Sequence, residues 1–271
     1  MSYSTKLYQR YRYSIILLRQ LVKTDFKLRY QGSTLGYLWS LLRPLLLFLI
    51  MYVVFVKFLK VGHSVPHYPV YLLLGIVLWN FFGEITTGSV AAIVGKGDLL
   101  RKINFPRYVI ILASSLSALI NLALNFIVIV VFMIFAHIQF NLGMLMAIPL
   151  VIEIFSFALG IAFFLSALFV RFRDISYIWD VFMQGAFYGT PIFYALASVP
   201  LIAQYIIILN PVAQAMQAVR YVLITKKSVT VSEIYHAHPW FQLIPYLLVV
   251  LVAVVAMLYF KARSRHFAEE V

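Results

Sequence analysis

Cysteine is absent from this chain, which excludes structural disulfides, thiol catalysis and cysteine-ligated metal centres. Charge is scarce: Asp, Glu, Lys and Arg make up 11% of the residues, only 9 of them acidic, while hydrophobic types make up 63%. Soluble domains carry about 25% charged residues, so most of this chain is not built to face water. No Gly-x4-Gly-Lys-Ser/Thr pattern occurs, and Gly95-Lys96-Gly97-Asp98 follows an apolar run rather than a strand. A phosphate loop for ATP is therefore missing. Also missing are the alternating strands of about ten residues that mark a membrane β-barrel, repeats of fixed period and inverted halves. His63 with His67 and His236 with His238 have ligand-like spacing. Both pairs stand in loops without clustered carboxylates, so neither makes a metal site, and no acid-base or nucleophilic constellation for catalysis is found.

What the chain has is long apolar runs. The hydrocarbon layer is about 30 Å thick, so a crossing helix needs roughly 20 apolar residues. Runs of that kind place spans near 35–58, 71–94, 108–135, 142–170, 176–194 and 240–260. Backbone amides in lipid must pair within their own helix, and the expected fold is an all-α integral membrane protein with about six transmembrane helices in one domain over 31–271. Pro44 removes a donor inside the first span and is expected to kink it. The fifth run meets Gly189-Thr190-Pro191 after about 14 residues, too few to cross unless it continues bent toward Tyr194. The stretch 197–223 is broken by Pro200 and Asn210-Pro211 and reads as two short re-entrant helices.

Residues 1–30 alternate basic positions (Arg12, Arg19, Lys23, Arg29) with apolar ones at helical spacing. This segment is expected to lie on the membrane as an amphipathic interfacial helix, and its charges run too far into it for a cleaved leader. The 22 Lys and Arg residues divide unevenly, with 16 on the side of both termini, 5 on the other and Arg43 within a span. The positive-inside rule makes the first side cytoplasmic, so both termini are expected inside a multi-pass cell-membrane protein. The net charge of +13 then needs no nucleic acid to explain it.

Four ionisable residues fall within spans: Arg43, Glu84, Glu153 and Asp180. Each is costly in lipid and must face protein, water or a counter-charge; a polar path or interhelical pairing would both satisfy them. The loop 95–107 joins free glycines to an amphipathic stub, with Asp98 at its start and Leu99, Leu100 and Ile103 on one face beside Arg101, Lys102 and Arg107. It suits docking into a groove on a soluble partner, or a solvated contact with anionic headgroups. Aromatics gather toward the far half at Trp79, Phe82, Phe187, Tyr188, Phe193 and Tyr194, with Tyr37 and Trp39 at the near edge. Rings grip sugar faces, and they also anchor helices at headgroups.

Five stretches carry a family resemblance. Lys27-Leu28-Arg29-Tyr30-Gln31-Gly32-Ser33-Thr34-Leu35-Gly36-Tyr37-Leu38-Trp39-Ser40-Leu41-Leu42-Arg43-Pro44 resembles the entry into the first span of permease subunits of ABC-type polysaccharide exporters, which move teichoic acid, O-antigen or capsule. Lys102-Ile103-Asn104-Phe105-Pro106-Arg107 is similar to that family's coupling segment, and Phe172-Arg173-Asp174-Ile175, Thr190-Pro191-Ile192-Phe193-Tyr194 and Asn210-Pro211 to its fifth-span and re-entrant region. The resemblance implies a homodimer of permeases bound to two copies of a separate nucleotide-binding ATPase subunit. ATP and Mg would sit on that subunit, with no cofactor in this chain. The cargo would be a lipid-linked polymer exported from the cytoplasmic face. Coupling to the ATPase would fall to Gly97, Asp98, Leu99, Arg101, Lys102, Asn104, Phe105, Pro106 and Arg107. The substrate path would run past Arg29, Tyr37, Trp39, Arg43, Trp79, Phe82, Glu84, Tyr188, Phe193 and Tyr194. Outer cations at Arg220, Lys226 and Lys227 would suit a polyanion such as teichoic acid. A reading from another class is an ion-coupled transporter or channel with Glu84, Glu153 and Asp180 as its relay.

Overall fold

The computed structural model describes residues 3–29, 33–60, 65–102, 105–264 and Phe267, and among these every regular element is a helix. Helix α1 (Tyr3–Arg29) precedes the first span, which enters through a 3-10 turn at Gly36–Leu38, continues as α2 (Trp39–Met51) and ends in a widened π-helical stretch, Tyr52–Phe58. Then follow α3 (Tyr68–Val90), the stub α4 (Gly97–Lys102), α5 (Tyr108–Phe135), α6 (Ala147–Arg171), α7 (Ile175–Gly189), α8 (Leu201–Ile208), α9 (Pro211–Leu223), α10 (Val231–Ile234) and α11 (Ile244–Arg263).

Five of these stretches are long and apolar enough to cross a membrane: Gly36–Phe58, Tyr68–Val90, Tyr108–Phe135, Leu142–Arg171 and Pro239–Arg263. The second begins three residues before the expected start at 71. His67 takes a left-handed conformation (φ 53°) and Pro69 occupies the first turn, where its missing N–H costs nothing. The fifth expected span, 176–194, is corrected: α7 has 15 residues, about 22 Å at 1.5 Å each, and the chain turns extended at Thr190 instead of continuing to Tyr194. Beyond it α8 and α9 meet at 100°. The cause is local: Asn210 caps α9 by accepting from the Val212 amide at 3.0 Å, and Pro211 stands at the first helical position.

Helix α3 is the axis of the bundle, with α2, α5, α6, α7 and α9 around it. Of its apolar window 78% is buried inside the chain, against 11% for the first span. Lipid tails are as apolar as leucine, so area alone does not drive helices together; close approach of small residues does. Gly160 on α6 serves this purpose, since a Cβ there would lie 3.2 Å from Ala253 Cα of α11.

Candidate functional site

Three regions carry the polar chemistry. The first is a cavity of 560 Å³ between α2, α3, α5 and α7. Asn80, Glu84 and Thr87 line it from α3, spaced i, i+4 and i+7 so that they share a helix face. Asn121 and Asn125 on α5 repeat the rule one turn apart. Asn121 Nδ2 donates to Glu84 Oε1 at 2.6 Å, so the carboxylate meets a neutral donor across the helix interface. Trp39, Arg43 and Trp79 complete the wall. Four residues singled out from the sequence (Trp39, Arg43, Trp79 and Glu84) thus come together, while Asn80, Thr87, Asn121 and Asn125 escaped notice. Their signal was present: amides and a hydroxyl one turn apart inside apolar runs.

Pro44 shapes the same cavity. Without an N–H it leaves the carbonyl four residues back, that of Ser40, with no helical donor. Asn125 Nδ2 supplies one at 3.3 Å while also donating to Asn121 O at 2.8 Å.

The second region stands at the opposite end from the chain termini. Arg220 is completely buried, which corrects the expectation of an outer cation. Its Nη1 donates to Pro191 O and, at 3.0 Å, to Gln217 Oε1; its Nη2 donates to Ile192 O at 2.7 Å and to Tyr71 O at 3.1 Å. The guanidinium lies 3.5 Å from the Tyr71 ring centroid. Tyr68 donates its hydroxyl to Phe193 O, and the Tyr71 hydroxyl donates to Gln217 Oε1 at 3.1 Å. The non-helical segment after Gly189 thereby has its carbonyls satisfied by side chains of α3 and α9, the condition for irregular backbone at this depth. The segment in turn presents its rings: Phe193 stacks on Phe55 at 4.7 Å and contacts Phe187, Tyr188 and Tyr194. Phe187 reaches Trp79 at 6.1 Å, so the aromatic cluster is continuous with the cavity wall.

The third region is at the basic end. Lys96 Nζ holds both oxygens of Asp25, at 2.9 and 2.8 Å, clamping α1 to the turn before α4. Leu21 of α1 packs with Phe105, Val109 and Ile110, and Leu99 joins them. Leu99 therefore points into its own chain, whereas Asp98 and Lys102 are exposed and Gly97 is buried. Arg107 donates to Ser264 O, capping the last helix where its carbonyls lack partners. Half-buried Pro106 lies between them.

Other expected residues lie elsewhere. Phe82 is in the core against Trp79 and Phe157. Tyr37 lines a groove beside α1 with Leu18 and Lys23. Glu153 and Asp180 do not line the cavity with Glu84. Asn104 lies outside the described residues, as do the side chains of Arg29 and Arg101. Among the described residues no group of His, Asp and Glu can hold a metal ion.

Residues 16–224 match the ABC-2 type transporter membrane family. An O-antigen export system permease protein RfbA from Klebsiella pneumoniae is 33% identical over 211 residues, covering 78% of this chain and 81% of that protein. A second from the same organism is 31% identical over the same shares. One from Myxococcus xanthus is 30% identical over 184 residues, covering 68% and 70%.

Proposed function

The chain belongs to the ABC-2 type transporter membrane family, and from that premise we propose that it is the permease of an ATP-driven exporter of a lipid-linked polysaccharide of O-antigen type. The O-antigen permeases among its relatives favour this cargo over teichoic acid. Burial of Arg220 also removes one of three outer cations on which a polyanion reading stood. Two copies of the chain pair as a homodimer and bind two nucleotide-binding ATPase subunits, which carry ATP and Mg. The basic end is the cytoplasmic one, and both termini lie there in the cell membrane.

The observation that carries this reading is the continuity of polar and aromatic side chains. The cavity holds Arg43, Glu84 and three asparagines, and Trp79 passes from its wall to Phe187 and on to the rings around Phe193 at the far end. Charge at membrane depth is tolerated beside a polar path, and ring faces suit the apolar faces of sugars. Power arrives from the ATPase at the basic end, where exposed Asp98 and Lys102 on α4 offer the docking contacts. The clamp of Lys96 on Asp25 passes the movement to α1.

The test is export in a strain deleted for the chain. Wild type supplied with its ATPase subunit is expected to restore polymer on the cell surface. Arg43→Glu is expected to leave assembly and thermal midpoint intact while lipid-linked polymer accumulates inside. Export that persists with a nucleotide-dead ATPase subunit would overturn the reading, and proton-driven flux in ATP-free liposomes would favour the ion-coupled alternative.

A further inference from the structure

We propose that a groove at the basic end, separate from the polar cavity, is a binding site for one anionic diacyl phospholipid per chain. The groove has a volume of 940 Å³, near the top of the range of about 300–1,000 Å³ for small-ligand sites. Tyr108 and Leu112 of α5 form one wall, Met257 and Phe260 of α11 the other, and Leu159 and Phe163 of α6 the floor. The polar cavity shares none of these residues, so the groove lies off the proposed cargo path.

Depth and charge identify the occupant. Leu159 stands 12 residues before Arg171, the last residue of α6, roughly 18 Å from that end at about 1.5 Å per residue. Half of the hydrocarbon layer is about 15 Å, so the groove runs from the headgroup level to about the middle of the bilayer. Its deep part is aliphatic and aromatic, as acyl chains require. Its mouth holds Arg107 and Lys261 beside the hydroxyls of Tyr13, Tyr108 and Ser264, and no carboxylate stands among the described lining residues. Tyrosines at the polar boundary and two cations between helix ends form a headgroup site for a phosphate-bearing lipid. Arg107 already donates to Ser264 O, but a guanidinium has five N–H donors in a fork. A phosphate oxygen at the mouth would complete the link between the start of α5 and the end of α11. The bound lipid would thereby brace the segment that leads out of α4.

The test uses the assembled permease and ATPase complex in mild detergent. Phosphatidylglycerol, phosphatidylcholine and a polyprenyl phosphate are offered at equal concentration, and retained lipid is read by native mass spectrometry. One phosphatidylglycerol per permease copy is expected, in preference to phosphatidylcholine. A basic residue at an anionic surface is worth about a fivefold change in binding, so Lys261→Glu is expected to cut retention at least that much, while Lys261→Arg keeps it. Leu159→Trp leaves every charge in place and fills the floor, and it is expected to displace the lipid as well. Equal retention of phosphatidylcholine, unchanged retention in Lys261→Glu, or preference for the polyprenyl phosphate would each overturn the proposal. So would a complex that holds no lipid there because its own tail, a second copy or the ATPase fills the groove.

Discussion

Gly75 and Arg220 occupy one space: a Cβ on Gly75 would lie 2.2 Å from Arg220 Nη2 and 2.9 Å from Ile192 O. The glycine on α3 is what lets a guanidinium from α9 reach four acceptors at once. A hydrogen in place of a methyl therefore decides whether the extended turn after Gly189 is held.

Gly75→Ala is expected to destabilise the protein by about 2 kcal/mol, since nothing in the tight contact can yield without moving the guanidinium. Arg220→Ala is expected to be worse, by about 3–5 kcal/mol, because buried carbonyls lose a charged donor together. Arg220→Lys should recover less than half of the loss, since an ammonium cannot reproduce the planar fork. Thermal melts of the purified protein in detergent check all three, and a melt of Arg220→Ala within experimental error of wild type would refute the network.

Asn125 and Pro44 are expected to be thermodynamically coupled. Asn125→Leu leaves the part-buried Ser40 carbonyl without a donor, which costs about 1 kcal/mol, the low end of the range for a fully buried group. Pro44→Ala restores the helical N–H, so in that background Asn125→Leu is expected to cost about 1 kcal/mol less. A double-mutant cycle that shows strict additivity would mean the two residues act independently.

The pair of Asp25 and Lys96 is about one-fifth exposed on both sides, and at that exposure it is worth only about 1 kcal/mol. Asp25→Lys is accordingly expected to shift the melting midpoint little, yet to separate ATP turnover from export by freeing α1 from the turn before α4. The double reversal Asp25→Lys with Lys96→Asp is expected to restore coupling. Export and ATP hydrolysis measured together in proteoliposomes decide the matter, and failure of the double variant to recover would argue against the clamp.

Asp98→Ala and Leu99→Ala should part company although they are neighbours. Asp98 is exposed on α4, whereas Leu99 packs with Leu21 and Phe105. Asp98→Ala is expected to lower ATP-coupled export without changing thermal stability. Leu99→Ala is expected to cost about 1–2 kcal/mol of stability, less than a fully buried leucine because Leu99 is only partly covered. Identical profiles for the two variants would mean that the stub docks as an undivided surface.

Much of the architecture was legible in the sequence. Apolar runs located the crossing helices, since a helix in lipid must be long enough and uniformly apolar. Asn210-Pro211 and Gly189-Thr190-Pro191 located the breaks, because cap and stop chemistry is local. The candidate cavity was half legible: Arg43 and Glu84 stood out as charges, while Asn80, Asn121 and Asn125 passed as ordinary polar residues in long runs. The misplaced residue was Arg220, expected outside with Lys226 and Lys227. A lone cation in an apolar stretch between two breaks reads as a loop charge unless its acceptors are known, and those come from segments 28 and 149 residues away.

By itself, the sequence determined the solvent of this protein, the rough limits of five membrane helices, and which end carries the positive charge; the fifth expected span, 176–194, proved too short. Hydropathy and charge are properties of single residues summed along a line, so no partner is needed to read them. Tertiary structure decided which faces meet. In lipid an apolar face has no preferred mate, so the choice falls to small residues that permit contact, as Gly160 does against Ala253, and to polar groups that must find each other, as Glu84 finds Asn121 and Arg220 finds the carbonyls of Pro191 and Ile192.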